Sequence, residues 1–288
     1  MGDRLRTLLN AGLVGAQRLK RATLGERLRL ADHPRALAAY RLAVGWGRAR
    51  SVEVHGHRLR LDPLDSLHLS LRGRYEEGET AFVQRQVGPG DLVFDVGAHV
   101  GYFSLLFARA VGPRGHVLAF EPHPHNRALL LENVAANGYR NVAVLPQAVA
   151  DGAGQATLYA SAENTGDNAL HGSGSGFPVE TLALDRFEAL ARGRRVFLKL
   201  DTQGHEPQVF AGARGLLQAA QELTALFEFW PHGLRAAGAD PRALLALGAE
   251  LGCAAHTLSE AGELEPLDPD ALLTELAGEA FTTVVWTR

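Results

Sequence analysis

The sequence predicts an α/β fold: a doubly wound, mostly parallel seven-stranded sheet carrying an N-terminal helical and β-hairpin extension. Three observations predict it. From Asp91 onward, short apolar runs alternate with stretches of helical period, the signature of βαβ units. The run Leu92-Val93-Phe94-Asp95-Val96 meets a tight glycine turn, Gly97-Ala98-His99-Val100-Gly101, and then a helical stretch from Tyr102 to Val111. The next apolar run, Val117 to Phe120, ends on an acid, Glu121.

Taken in order, strands are expected at 92–96, 117–120, 142–149, 196–201 and 224–229. Helices are expected near 102–111, 124–137, 182–192 and 206–220. Two further strands, about 253–258 and 281–287, complete the sheet. Asp240-Pro241 and Asp268-Pro269 each read as a helix N-cap followed by proline. Ahead of the domain, Val52 to Leu61 alternates around Gly56 and reads as a hairpin, and Glu76 to Val87 as a helix stopping at Gly88. The chain thus divides into a basic helical arm (1–50), a hairpin-and-helix lead-in (51–90) and a ligand-binding domain (91–288).

Composition bounds the function. The chain has 288 residues, 46% hydrophobic and 21% charged, which is ordinary for a globular protein. A single cysteine, Cys253, excludes an internal disulfide and a thiolate zinc cage, and favours a cytoplasmic location. The twelve histidines form no His-x-x-x-His helix pair, so no metal site is expected. No apolar run reaches the roughly 18–20 residues of a membrane span. Charge is uneven: residues 1–50 hold eleven Arg or Lys against three acids, a balance of +8, so the remainder carries −11 of the net −3. That arm suits either a solvated flank or peripheral contact with anionic lipid. The acidic remainder argues against nucleic acid, whose phosphates it repels.

The glycine turn narrows the ligand. A strand, glycine turn and helix N-terminus let backbone N–H groups approach a ligand, and an acid at the next strand end suits a ribose diol. A dinucleotide fingerprint wants Gly-x-Gly-x-x-Gly. Here the spacing is Asp95-x-Gly97-x-x-x-Gly101, and an acid two residues before the first glycine repels a pyrophosphate. S-adenosylmethionine carries a sulfonium, an ammonium and a diol but no phosphate, so the electrostatics favour it over NAD.

A second cluster is Lys199-Leu200-Asp201-Thr202-Gln203-Gly204-His205-Glu206. Residues two apart share a strand face, so Lys199 and Asp201 point the same way. Asp201 falls at a strand's carboxyl end, where open α/β sheets bind ligands. Asp95, Glu121 and Asp201 are expected to project into one crevice, with Glu228 a fourth acid there. Glu206 either joins them or only complements a helix N-terminus. The polar stretch 151–177 reads as a hairpin and loop beside that crevice.

Together these residues resemble the FkbM-type S-adenosylmethionine-dependent methyltransferases. The likeness rests on Gly73-Arg74-Tyr75-Glu76-Glu77-Gly78-Glu79, on Asp95 to Ser104, on Phe120-Glu121-Pro122 with Asn126 and Asn133, and on Lys199 to Glu206. Thr181 to Asp185 and Glu228 also match. The likeness spans about residues 52–230. His99 stands where the family commonly has Asn, and Gln203 where Glu is frequent. The resemblance implies a class I methyltransferase fold, Rossmann-like, and usually O-methylation of a hydroxyl on a sugar, glycan or natural product. The expected cofactor residues are Asp95, Gly97, Ala98, Gly101, Glu121, Pro122, Asn126 and Ala148. Asp201 and His205 are the expected catalytic pair, His205 being matched to neutral pH as a base. An NAD(P)-dependent oxidoreductase and a non-catalytic binding protein of the same fold are the competing readings.

Overall fold

The computed structural model describes residues 49–161, 164–172 and 176–288. The basic arm's expected helices lie outside the described residues. The described residues begin with the expected hairpin, β1 (Ser51–Val54) and β2 (His57–Arg60), turning through Gly56. Two short helices follow, α1 (Leu69–Arg72) and α2 (Glu77–Gln86).

The domain then alternates as expected: β3 (Leu92–Val96), α3 (Tyr102–Val111), β4 (His116–Phe120), α4 (Pro124–Ala136) and β5 (Val142–Leu145). β6 (Ala148–Val149), β7 (Gly154–Tyr159) and β8 (Gly176–Leu182) form a separate three-stranded sheet, with β7 and β8 antiparallel. The chain returns through α5 (Glu188–Ala191), β9 (Arg195–Leu200), α6 (Glu206–Ala211), α7 (Arg214–Ala219) and β10 (Glu222–Phe229). It ends in α8 (Pro231–Ala236), α9 (Pro241–Glu250), β11 (Ala254–Leu258), β12 (Leu264–Pro266), α10 (Pro269–Glu275) and β13 (Thr282–Thr287).

The main sheet has eight strands, not seven, in the order β12-β11-β13-β10-β9-β3-β4-β5. Strands β10, β9, β3, β4 and β5 are parallel neighbours, and β13 enters antiparallel beside β10. The extra strand is β12, which pairs with β11 as an edge hairpin too short to show in the apolar pattern. The order reverses between β3 and β9, which places a crevice at the carboxyl ends of those strands. Buried side chains fill both faces, with Phe94, Leu198, Phe227 and Trp286 on one and Val93, Phe107, Phe197 and Leu226 on the other. A doubly wound sheet needs apolar residues on both sides of each central strand, which is why β3 is buried throughout.

Three expected elements break. The strand at 142–149 splits into β5 and β6, because the chain leaves the main sheet after Leu145. The helix at 182–192 shrinks to a 3-10 turn (Leu184–Phe187) and α5, since residues through Leu182 are taken by β8. The helix at 206–220 divides at Gly212, where a Cβ would lie 2.1 Å from the Ala150 carbonyl oxygen. That close approach needs glycine. Both Asp-Pro caps form as read: Asp240 accepts from Arg242 N at 2.9 Å and Asp268 from Asp270 N at 2.9 Å.

The hairpin is fastened to α4 through asparagine amides. Asn133 accepts from Arg60 N (2.7 Å) and donates to Arg60 O (3.0 Å); Asn137, one turn on, does the same with Arg58 (3.0 and 2.8 Å). Each amide mimics a strand's donor–acceptor pair, so the free edge of β2 is satisfied by a helix.

Candidate active site

A cleft of about 1590 Å³ opens at the carboxyl ends of β3, β4, β9 and β10. Of the residues expected to hold cofactor, Gly97, Glu121, Pro122 and Ala148 line it. Asp95, Ala98, Gly101 and Asn126 do not; they lie behind its surface. Asp95 is 1% exposed and accepts from Ser104 Oγ of α3 at 2.5 Å. The expectation that Asp95 projects into the crevice is therefore corrected. Its strand position points it under α3, where it ties the first turn of that helix to β3.

The two glycines turn the chain sharply, as expected, and also allow close packing. Gly97 has φ +82°, and a Cβ there would sit 2.0 Å from the Asp201 carbonyl oxygen; at Gly101, φ is +94° and a Cβ would meet Leu130 Cδ1 at 2.5 Å. Their freedom serves the contact between two strand-end loops and the packing of α3 on α4. That contact brings the turn after β3 and the Asp201 segment together at the cleft floor.

Glu121 is held by backbone donors. His99 N donates to Oε2 at 2.8 Å and His123 N to Oε1 at 2.8 Å. Burial pushes its carboxyl up to about 7, partly offset by those two amides. Each oxygen keeps a further lone pair on the cleft side. Behind it, Asn126 donates to Thr165 O at 3.0 Å, and its own buried Oδ1 has no partner. A carboxylate with free lone pairs suits a ribose diol, so this wall fits a nucleoside.

Across the cleft, Asp201 follows β9. Its Oδ2 lies 3.8 Å from Lys199 Nζ, and its Oδ1 accepts from Gln203 Nε2 at 2.9 Å. The shared face of Lys199 and Asp201 is as read. Lys199 is buried and lies 4.5 Å from the Phe103 ring centroid. Burial favours its neutral form, but Asp201, Glu79, Glu76 and Asp95 together outweigh that and hold it protonated. His205 also lines the cleft but is not paired with Asp201; its buried Nε2 has no partner. Burial lowers its basicity, keeping the imidazole neutral at pH 7. Glu206 is fully committed: Oε1 accepts from Thr202 N, Thr202 Oγ1 and Gly204 N at 3.1, 2.8 and 3.3 Å. It clasps its own turn rather than facing a ligand.

Glu228 lines the cleft as the expected fourth acid, and Tyr75 and Glu76, points of family likeness, line it too. His68, Trp230 and Phe281 also line it, and no motif marks them. Four non-glycine residues with positive φ line the cleft: His68, Glu76, His99 and Gln203. Such strain gathers where structure over-determines a site, and no sequence pattern announces it. Thr165 closes one side: its hydroxyl lies 2.8 Å from His99 Nε2 and 3.0 Å from Ser66 Oγ. The described part of the 151–177 stretch, from Asn164 to Asn168, thus lies beside the crevice. Among the described residues, no group of three His, Cys, Asp or Glu is placed to hold a metal ion.

This sheet order and crevice define a class I methyltransferase fold. Residues 95–235 match the model of the methyltransferase FkbM domain. The chain carries an FkbM methyltransferase domain, and the cofactor of that family is S-adenosylmethionine. Over 56 residues, 19% of the chain, it is 43% identical to a protein-L-isoaspartate O-methyltransferase of Ignicoccus hospitalis, covering 26% of that protein. It is 39% identical over 56 residues, 19% of the chain, to an arsenite methyltransferase of Halobacterium salinarum, covering 14% of it. The chain thus spans about a quarter or less of these relatives. A putative methyltransferase of Streptococcus mutans, solved with SAH, aligns over 73% of this chain and 94% of its own, at 10% identity and a TM-score of 0.42.

Proposed function

We propose that the protein is a methyltransferase that moves the methyl group of S-adenosylmethionine to a hydroxyl oxygen of a sugar, glycan or natural product. The observation that carries this reading is one cleft with two unlike walls. Glu121 offers a diol its lone pairs on one side, and Asp201, Glu228 and Glu76 offer carboxyls on the other. When bound, the cofactor supplies a methyl group activated by a sulfonium.

The chain's own residues hold and align. Glu121 grips the ribose hydroxyls, and the Gly97 turn sets the cofactor against the Asp201 loop. Asp201, fixed by Lys199 and Gln203, accepts a hydrogen bond from a neighbouring hydroxyl of the acceptor and so orients the molecule. His205, a neutral imidazole, is a second polar contact at the same mouth. Trp230 and Phe281, the latter 62% exposed, give the mouth apolar faces that suit a sugar ring's C–H side. A hydride-transferring NAD(P) enzyme is disfavoured, because the turn after β3 has the spacing Gly97-x-x-x-Gly101 and not the Gly-x-Gly-x-x-Gly of a dinucleotide site.

The test is calorimetric titration with S-adenosylmethionine and with NAD, then acceptor screening with labelled methyl donor. Binding of the former and transfer to an oxygen support the reading. Binding of NAD alone, or transfer only to nitrogen, overturns it. The +8 arm further supports peripheral contact of a cytoplasmic protein with anionic lipid. Deleting residues 1–30 should then leave cofactor affinity unchanged and abolish co-sedimentation with anionic vesicles at low salt. Full-length protein that ignores such vesicles overturns that contact.

A further inference from the structure

We infer that Glu228, rather than Asp201 or His205, receives the proton of the acceptor hydroxyl, and that the positive charge of the bound methyl donor readies it to do so. The inference rests on the proposed methyltransferase reading. Glu228 sits one residue beyond the pairing of Phe227 with Leu200, so register sets it beside Asp201 on the cleft wall. The two carboxyls differ in their partners. Asp201 has a buried lysine and an amide; Glu228 makes no hydrogen bond or salt bridge among the described residues. A carboxylate compensated by a cation is a weak base, and an uncompensated one is a strong base.

The groups that face Glu228 come from every element around it. Asp201 follows β9, Glu206 opens α6, and Glu79 lies on α2; all three are acids, and Lys199 is the cation near it. Glu76, just before α2, lines the same cleft and has a buried Oε2 without a partner, as does Glu79. Burial first, and then these acids, push Glu228 up to about 9. In the empty cleft Glu228 therefore carries a proton at neutral pH. A cation placed in the cleft favours its carboxylate, lowering such a group by about 1–3 units.

The step balances. The acceptor oxygen forms a bond to the methyl carbon as the carbon–sulfur bond breaks, and that electron pair stays on sulfur. The hydroxyl proton passes to Glu228 Oε. A cation and a carboxylate become two neutral groups, so no net charge is left buried in the cleft.

Calorimetry in buffers of different ionisation enthalpy tests this without turnover. At about pH 8, the purified full chain should release about 0.4–0.9 proton per bound S-adenosylmethionine, as a shift of about 1–3 units from about 9 requires, and far less per bound S-adenosylhomocysteine, which lacks the positive charge. Glu228→Gln imitates the protonated side chain, so it should fold, bind both ligands, and lose the difference. Equal release for the two ligands, or a difference that survives in Glu228→Gln, overturns the inference. No binding of S-adenosylmethionine to the wild-type chain instead overturns the methyltransferase reading on which it rests.

Discussion

At the scale of the residue, the site is governed by how each carboxyl is compensated. Asp95 has a serine, Glu121 two amides, Asp201 a lysine and an amide, Glu206 a whole turn, and Glu228 none of these. The same carboxyl group is thus compensated in five different ways. Glu121→Ala should weaken S-adenosylmethionine binding by about 1.5–3 kcal/mol, the worth of a hydrogen bond to a charged group, read by titration calorimetry above pH 7. Because burial holds Glu121 near 7, wild-type affinity should also fall as pH drops through that value, and the mutant should lose this dependence. An unchanged affinity in Glu121→Ala would remove the residue from the ribose site. Asp95 could be recognised in the sequence as an acid before a glycine turn. Its direction could not, because that depends on which helix crosses the strand.

At the scale of the element, turns and hairpins carry the precision. The turn after β3 and the loop after β9 approach so closely that only glycine fits at Gly97. Gly97→Ala combines a backbone clash with a left-handed φ that costs about 1–3 kcal/mol by itself. It should lower the unfolding midpoint in urea and abolish cofactor binding together. The β1–β2 hairpin is a second case. His57 is buried, with Nε2 2.6 Å from the Tyr139 hydroxyl, and burial, with Arg109 next, lowers it to about 4. A histidine whose folded value is depressed contributes stability that is present above its unfolded value near 6.5. That stability is lost as pH falls towards 4. Stability of the wild type should therefore decline across that window, and His57→Gln should flatten the decline. A decline of equal slope in the mutant would assign it to other groups. The hairpin itself was legible from alternation around Gly56. Its docking through Asn133 and Asn137 was not: an Asn pair one turn apart on a helix reads equally well as surface.

At the scale of the whole molecule, the antiparallel strand β13 lies between β10 and β11 and joins the C-terminal hairpin to the parallel part of the sheet. Trp286 on that strand packs against Phe210 and Phe227 at ring-centroid distances of 4.4 and 4.8 Å, with Gly248 of α9 pressed on its indole. Trp286→Ala should cost about 3–5 kcal/mol in chemical denaturation, since a buried aromatic leaves a cavity its neighbours cannot fill. A loss below about 1 kcal/mol would mean the tail is a separate layer and not part of the core. Among the described residues, no helix is long and apolar enough to cross a membrane.

The alternation β3-α3-β4-α4 and the strands β9, β10, β11 and β13 were legible in the sequence alone, because apolar period and glycine breaks are local and each βα unit writes them again. So were the acids at strand ends, since a strand's carboxyl end follows from its direction. Tertiary structure alone decided which of those acids face the cleft, that Glu206 is spent on its own turn, that Asp201 and His205 stand apart, and that β5 and β6 part company. These outcomes depend on register between strands and on what packs across them, and neither is a property of any short stretch of chain.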